Sequence, residues 1–179
     1  MLMRKRNEKA VLIPIKSELV AKILNGEKTI EPQKTAPKCE LPVEVYIYCT
    51  KAKPNLYRHI RQEFFHHKKT FKAGLWNGMI VAKFTLNNVE TIKLPYTKFG
   101  SDEWVGYEGG RTLQTQTMDE GTLLKKSCLT ESEIYSYLNF KYSPFNVGYA
   151  WHIDDLEIFD MPMKLNGKAP RHWQYIDVE

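Results

Sequence analysis

Cysteine is scarce in these 179 residues: Cys39, Cys49 and Cys128 are three in number, widely spaced, and in no Cys-x-x-Cys pair. An odd, scattered set excludes a disulfide-stapled secreted scaffold and fits a reducing cytoplasm. Long apolar runs are missing as well. Nothing approaches the roughly 18 residues of a membrane span, so no membrane is expected. The basic start, Met1 to Arg6, leads only into the short run Val11–Ile15, interrupted by Pro14, which is too brief for a secretory core segment. The glycine-rich and catalytic signatures are absent too. There is no dinucleotide loop, no P-loop, no Gly-x-Ser-x-Gly and no His-Glu-x-x-His. No cofactor is expected. His59, His66 and His67 make no ligand set at metal spacing, and no metal is expected.

What is present is an ordinary globular balance, 42% hydrophobic and 26% charged, with a generous aromatic share of 12%. The length suits one domain over 1–179, with elaborations at about 52–77 and 95–121. The net charge of +5 is unevenly spread. Residues 1–75 hold 16 Lys/Arg against 7 Asp/Glu, and residues 76–179 hold 10 against 14. A basic first half points to an anionic partner, since Lys and Arg displace counterions from a phosphate backbone. Interleaving of the two halves in space would average that field away.

The pattern of elements is mixed. Val11–Ile15 reads as a strand that Pro14, lacking a ladder donor, confines to an edge or ends. Ser17 is placed to cap a helix running to about Asn25, with Leu19, Val20, Ile23 and Leu24 on one face and Gly26 in the left-handed position beyond it. Residues 25–38 then read as a stiff, charged loop, bent by Pro32 and Pro37 and held by ordered elements on both sides. Lys28 and Glu31 stand three apart in it, a spacing that allows a pair across one turn. A merely solvated connection is the plain alternative. Val43 to Thr50 alternates as a strand, with Val43, Val45, Ile47 and Cys49 on one face and Tyr46 and Tyr48 on the other.

Residues 55–69 fit an amphipathic helix whose polar face carries Arg58 and Arg61. Asn77-Gly78 marks a turn, and Met79 to Leu94 reads as a hairpin broken near Asn87-Asn88. Residues 95–121, with Trp104, show no period and read as a long irregular segment. Thr130-Glu131-Ser132-Glu133 fits a capping box opening a helix through Leu138. Val147–Phe159 and Trp173–Val178 read as strands. Trp151 alternates with Tyr149 and Ile153, which suits core packing as well as base stacking. Five or six strands with two to four helices, and many short strands, favour an α+β fold with a curved or closed sheet over a doubly wound parallel one.

The stretch Leu24-Asn25-Gly26-Glu27-Lys28-Thr29-Ile30-Glu31 closely resembles the signature of the ASCH domain, a branch of the PUA-like superfamily, which runs Gly-x-Lys-x-x-Glu-x-Arg after the first helix. Val45 to Lys51, Cys128 to Glu131 and Trp151 to Leu156 resemble segments of phage- and prophage-associated members. The resemblance implies a PUA-like mixed β-barrel with the signature loop beside a cleft. It also implies recognition of RNA or a modified nucleotide and, for some relatives, hydrolysis of an acylated cytidine. It assigns binding or acid–base roles to Lys28 and Glu31, with Gly26 shaping the loop. The nucleic-acid-facing set is then Gly26, Lys28, Thr29, Glu31, Lys34, Lys38, Tyr48, Lys51, Arg58, Arg61, Trp151 and His152. Two positions depart from the signature: Gln33 replaces the Arg, losing a planar phosphate donor, and Pro32 replaces an apolar residue. Relatives with the amidohydrolase activity carry a Thr nucleophile at the position matching Glu31. The carboxylate there ranks binding ahead of a small amidohydrolase working through Lys28 and Glu31. Oligomeric state is not written in the sequence.

Overall fold

The computed structural model describes residues 8–52, 56, 76–93, 117–140 and 147–178. The chain forms two compact units. The first is built from Met1–Lys28, Cys39–Asn87 and Ile153–Glu179, the second from Thr29–Lys38 and Asn88–His152. The fold is mixed α+β. Its described residues hold nine strands and three helices. That is more strands than pattern alone resolves, because two of them, Ile30–Gln33 and Thr117–Met118, are too short to show a period.

The first unit is a five-stranded sheet. Its strands are β1 (Glu8–Ile15), β3 (Val43–Cys49), β4 (Met79–Leu86), β8 (Asp154–Lys164) and β9 (Gln174–Val178), in the order β8-β4-β3-β1-β9. As expected, β3 is central. It runs parallel to β1 and antiparallel to β4. Val43, Val45, Ile47 and Cys49 of β3 are buried, and Val45 and Ile47 lie directly across from Val11 and Ile13 of β1. Helix α1 (Ser17–Leu24) packs on β3 and buries Leu19, Val20, Ile23 and Leu24. Each fully buried aliphatic side chain of this kind contributes about 1.5–3 kcal/mol.

Pro14 is accommodated in an instructive way. β1 lies inside the sheet, but β9 pairs only with Glu8 to Leu12. Among the described residues β1 has no strand partner on that side from Ile13 onward, and the proline without an N–H stands in that part. The helix start differs from expectation. Lys16 occupies the N-cap without a side-chain hydrogen bond, and Ser17 is the buried first helical residue. The helix end is as expected. Gly26 has φ +72°, its N–H donates to the Ile23 carbonyl, and that of Glu27 to the Lys22 carbonyl, both at 2.9 Å. This is a Schellman closure, and the left-handed residue at its centre is glycine for want of a Cβ penalty.

The second unit is a four-stranded sheet of β2 (Ile30–Gln33), β5 (Val89–Lys93), β6 (Thr117–Met118) and β7 (Val147–His152), in the order β2-β7-β5-β6, with helices α2 (Glu120–Ser127) and α3 (Glu131–Leu138). Both helices pack against β2. The expected capping box opens α3, with Thr130 and Glu133 bonded reciprocally. Helix α2 was hidden in the sequence by Gly121 and by an apolar face of little more than Leu123. Its N-terminus is fixed by the Asp119 carboxylate, which accepts from the Thr122 N–H at 2.9 Å.

Two sequence expectations fail on topology. Met79–Leu94 is not a hairpin: β4 is flanked by β3 and β8, so no ladder is open to β5, which pairs with β6 and β7 instead. Val147–Phe159 is likewise divided at Ile153 between β7 in one sheet and β8 in the other. The expected helix over 55–69 and the irregular segment 95–121 lie almost wholly outside the described residues.

Candidate functional site

The charged stretch 25–38 is not a loop throughout. After the Schellman turn it becomes β2, an edge strand paired antiparallel with β7 in the register Ile30↔His152, Glu31↔Trp151, Pro32↔Ala150, Gln33↔Tyr149. An edge is where a strand tolerates a proline. The entry to the strand is tied to α2, because the Thr29 N–H donates to the Lys126 carbonyl at 2.9 Å. That carbonyl is among those a helix C-terminus leaves unsatisfied. The plain alternative of a solvated connection fails at Lys28, Ile30, Glu31 and Pro32, which are buried, and holds at Gly26, Glu27, Thr29, Lys34, Thr35 and Lys38.

Within the second unit the central feature is the Glu31 carboxylate, 0% exposed. Its Oε1 accepts from the Tyr137 hydroxyl at 2.5 Å and from Gln33 Nε2 at 3.1 Å. The two donors arrive by different routes. Gln33 lies two residues along the same strand face, the period-2 relation of a β-strand. Tyr137 comes from the last turn of α3, 106 residues away in sequence. The phenol of Tyr137 is held well above its ordinary value, first by burial, then by the charge of Glu31 and the hydrogen bond to it. Tyr137 is therefore a neutral donor throughout the physiological range. Gln33, which stands where the signature has Arg, serves as a second neutral donor to Glu31.

A buried carboxylate is costly. The effective desolvation penalty is several kcal/mol, and hydrogen bonds to a charged group return about 1.5–3 kcal/mol each. A well-packed apolar side chain would serve stability at least as well. An arrangement of this kind on a polar strand is a candidate site rather than a device for folding.

The other expected residues fall into distinct places. Lys28 belongs to the first unit and is 1% exposed. Its backbone N–H donates to the Lys22 carbonyl at 3.1 Å, which continues the helix closure. Tyr48 is not a stacking platform. It is buried with Leu12 and Ile80, and Tyr46, Phe159, Leu165 and Ile176 pack around them. Burial also raises its phenol above the ordinary value. Trp151 is not a platform either, being fully buried as its alternation allowed. His152 lies opposite Ile30, so it shares the other face of the sheet from Glu31. There its Nε2 meets Glu90 Oε1 at 2.7 Å. Lys34, Lys38 and Lys51 are exposed. Arg58, Arg61 and Trp104 lie outside the described residues.

Sequence reasoning missed Tyr137 and the Glu90–His152 pair. The first has no local signal, since it depends on where α3 lands. The second is a cross-strand pair that needed the β5–β7 register. Most cations of the basic first half lie outside the described residues. In the first unit β1 and β3 are interleaved with β4, β8 and β9 of the acidic half. Lys83 of β4 sits 2.7 Å from Glu44 of β3 and 3.5 Å from Glu157 of β8. Among the described residues no cluster of His, Cys, Asp and Glu could hold a metal ion, and no helix is long and apolar enough to cross a membrane.

No protein-family model matches the sequence, and no curated protein matches it. Similarity appears in solved structures. The crystal structure of ASCH from Zymomonas mobilis is similar over 93% of this chain and 87% of that one, with a TM-score of 0.54 and 14% identity. A serine-to-alanine variant of that protein gives 0.55 at 15% identity, over 95% of this chain and 89% of that one. A tyrosine-to-phenylalanine variant gives 0.53 at 14%, over 96% and 91%. At such identity the likeness establishes the fold, and it extends over nearly the whole of both chains.

Proposed function

We propose that this protein is an ASCH-type nucleic-acid-binding module, acting in the cytoplasm on RNA or a modified nucleotide, with the segment from Gly26 to Lys38 as its recognition element. The observation that carries this reading is the buried Glu31 carboxylate, fixed by the neutral donors Tyr137 and Gln33. Nucleobases present amino and imino N–H groups on their edges, and a carboxylate held in one orientation accepts from them selectively. Lys28 supplies a cation in the same signature, and the exposed Lys34 and Lys51 are available to phosphate.

Calorimetric titration with cytidine, acylated cytidine, adenosine and a 20-nucleotide single-stranded RNA tests the reading. The parent is expected to bind at least one of them. Glu31→Gln and Lys28→Met are each expected to weaken that binding by about tenfold or more, about 1.4 kcal/mol per factor of ten. Binding that is unchanged in both variants, or absent from the parent, would overturn it. Conversion of the acylated cytidine to cytidine by the parent would instead make the protein an amidohydrolase.

A further inference from the structure

A second feature of the first unit is unused by this reading. The connection from β8 to β9 and the start of β9, residues 164–176, carry Lys164, Lys168 and Arg171 with His172, and no Asp or Glu. This reverses the local balance, because residues 76–179 as a whole hold 10 Lys/Arg against 14 Asp/Glu. All four side chains are exposed. Among the described residues none of them makes an ion pair or a side-chain hydrogen bond. They differ in this from Lys83, whose charge is taken up by Glu44 and Glu157.

Aromatic rings stand in the same segment. Trp173 and Tyr175 are two apart and meet edge to face, with centroids 5.5 Å apart and planes at 88°. Tyr175 is 37% exposed although it lies in a strand. Its hydroxyl accepts from the Cys39 N–H at 3.3 Å, which anchors the ring. Among the described residues strand β9 is the edge of its sheet, with no further strand on this side.

We propose that residues 164–176 form a landing surface for single-stranded RNA, with Lys164, Lys168 and Arg171 contacting phosphates and the Trp173–Tyr175 pair offering a ring to an unstacked base. The proposal rests on the nucleic-acid reading above and adds a surface that the signature does not include. Exposed cations beside a partly exposed aromatic pair are the combination that binds single strands: the charges follow the backbone and a ring stacks with any base. A duplex hides the faces of its bases and offers the rings nothing.

Fluorescence anisotropy with labelled 20-mer polyuridine, across a salt series, tests the surface. The triple variant Lys164→Gln, Lys168→Gln, Arg171→Gln is expected to lose about tenfold or more in affinity at low salt. Its log–log salt slope should fall by about 2, three contacts at about 0.7 each on a single strand. Tyr175→Leu is expected to weaken binding severalfold with the slope kept. The thermal transition of the triple variant should match the parent, because the replaced cations are exposed. A triple variant with the parent's affinity and slope would overturn the proposal, and Glu31→Gln with nucleosides would still report on the other reading. A parent that ignores polyuridine would overturn it as well. So would a parent that ignores polyuridine but binds phosphatidylserine vesicles or polyglutamate through the same three cations.

Discussion

Glu31 and Tyr137 form the shortest contact described in the second unit, and its two ends were unequally visible in the sequence. Glu31 lies in a local pattern with Gly26 and Lys28, so its position was legible. Tyr137 was one tyrosine among ten until α3 placed its hydroxyl 2.5 Å from Glu31. Tyr137→Phe keeps the ring and removes that donor. It is expected to cost about 1.5–3 kcal/mol in urea denaturation, the range for hydrogen bonds to a charged group, and to weaken ligand binding while Glu31 remains. Cys49 offers a simpler check. Burial pushes its thiol up to about 12, so almost no thiolate forms at neutral pH. In the native protein iodoacetamide at pH 8 should modify Cys39 and Cys128, which are partly exposed, well before Cys49. Mass spectrometry of the digested product reads the order, and early labelling of Cys49 would contradict its burial.

Elements were legible where their signals are local. The capping box of α3 is written in four residues, Thr130 to Glu133, and the structure contains both of its bonds, with the Thr130 N–H donating to Glu133 at 2.8 Å. Thr130→Ala should therefore cost about 1 kcal/mol. The loss should appear as faster amide exchange in the first turn of α3, with α2 unaffected. Equal exchange in both helices would show the cap to be redundant. The Gly26 closure was equally readable, because a glycine just past an amphipathic run has few other uses. Pairing was not readable. Asn87-Asn88 has the look of a tight hairpin turn, yet the strand before it is already enclosed by β3 and β8. Which ladder is vacant is a property of the assembled sheet, and no window of a dozen residues contains it. The same applies to Pro14, whose tolerance depends on how far β9 reaches along β1.

At the scale of the whole molecule, the phenol of Tyr137 links stability to alkaline pH. In the folded protein it holds its proton well above the ordinary value of 10.0, whereas in the unfolded chain it releases it near that value. Above about pH 10 the unfolded state binds fewer protons, so stability should fall as pH rises, and be level through this group below. Tyr46, Tyr48 and Tyr135 are shifted in the same direction, so the test is a difference. Between about pH 9 and 11, urea denaturation of Tyr137→Phe should show a shallower decline than the parent, and equal slopes would remove Tyr137 from the account. Mixed α+β character was legible from composition and pattern, but the division into units was not, because the chain passes between them after Lys28, Lys38, Asn87 and His152. That path has a consequence for how the protein can be divided. Cut between Asn87 and Asn88, the chain yields a first piece with β1, β2, β3 and β4 and a second with β5 to β9. The first lacks both outer strands of the five-stranded sheet, and the second holds those two strands with no centre to join. The β4–β8, β1–β9 and β2–β7 ladders all run from one piece to the other. Neither half is a domain, and the pair has the layout of a split reporter whose two parts fold only by finding each other.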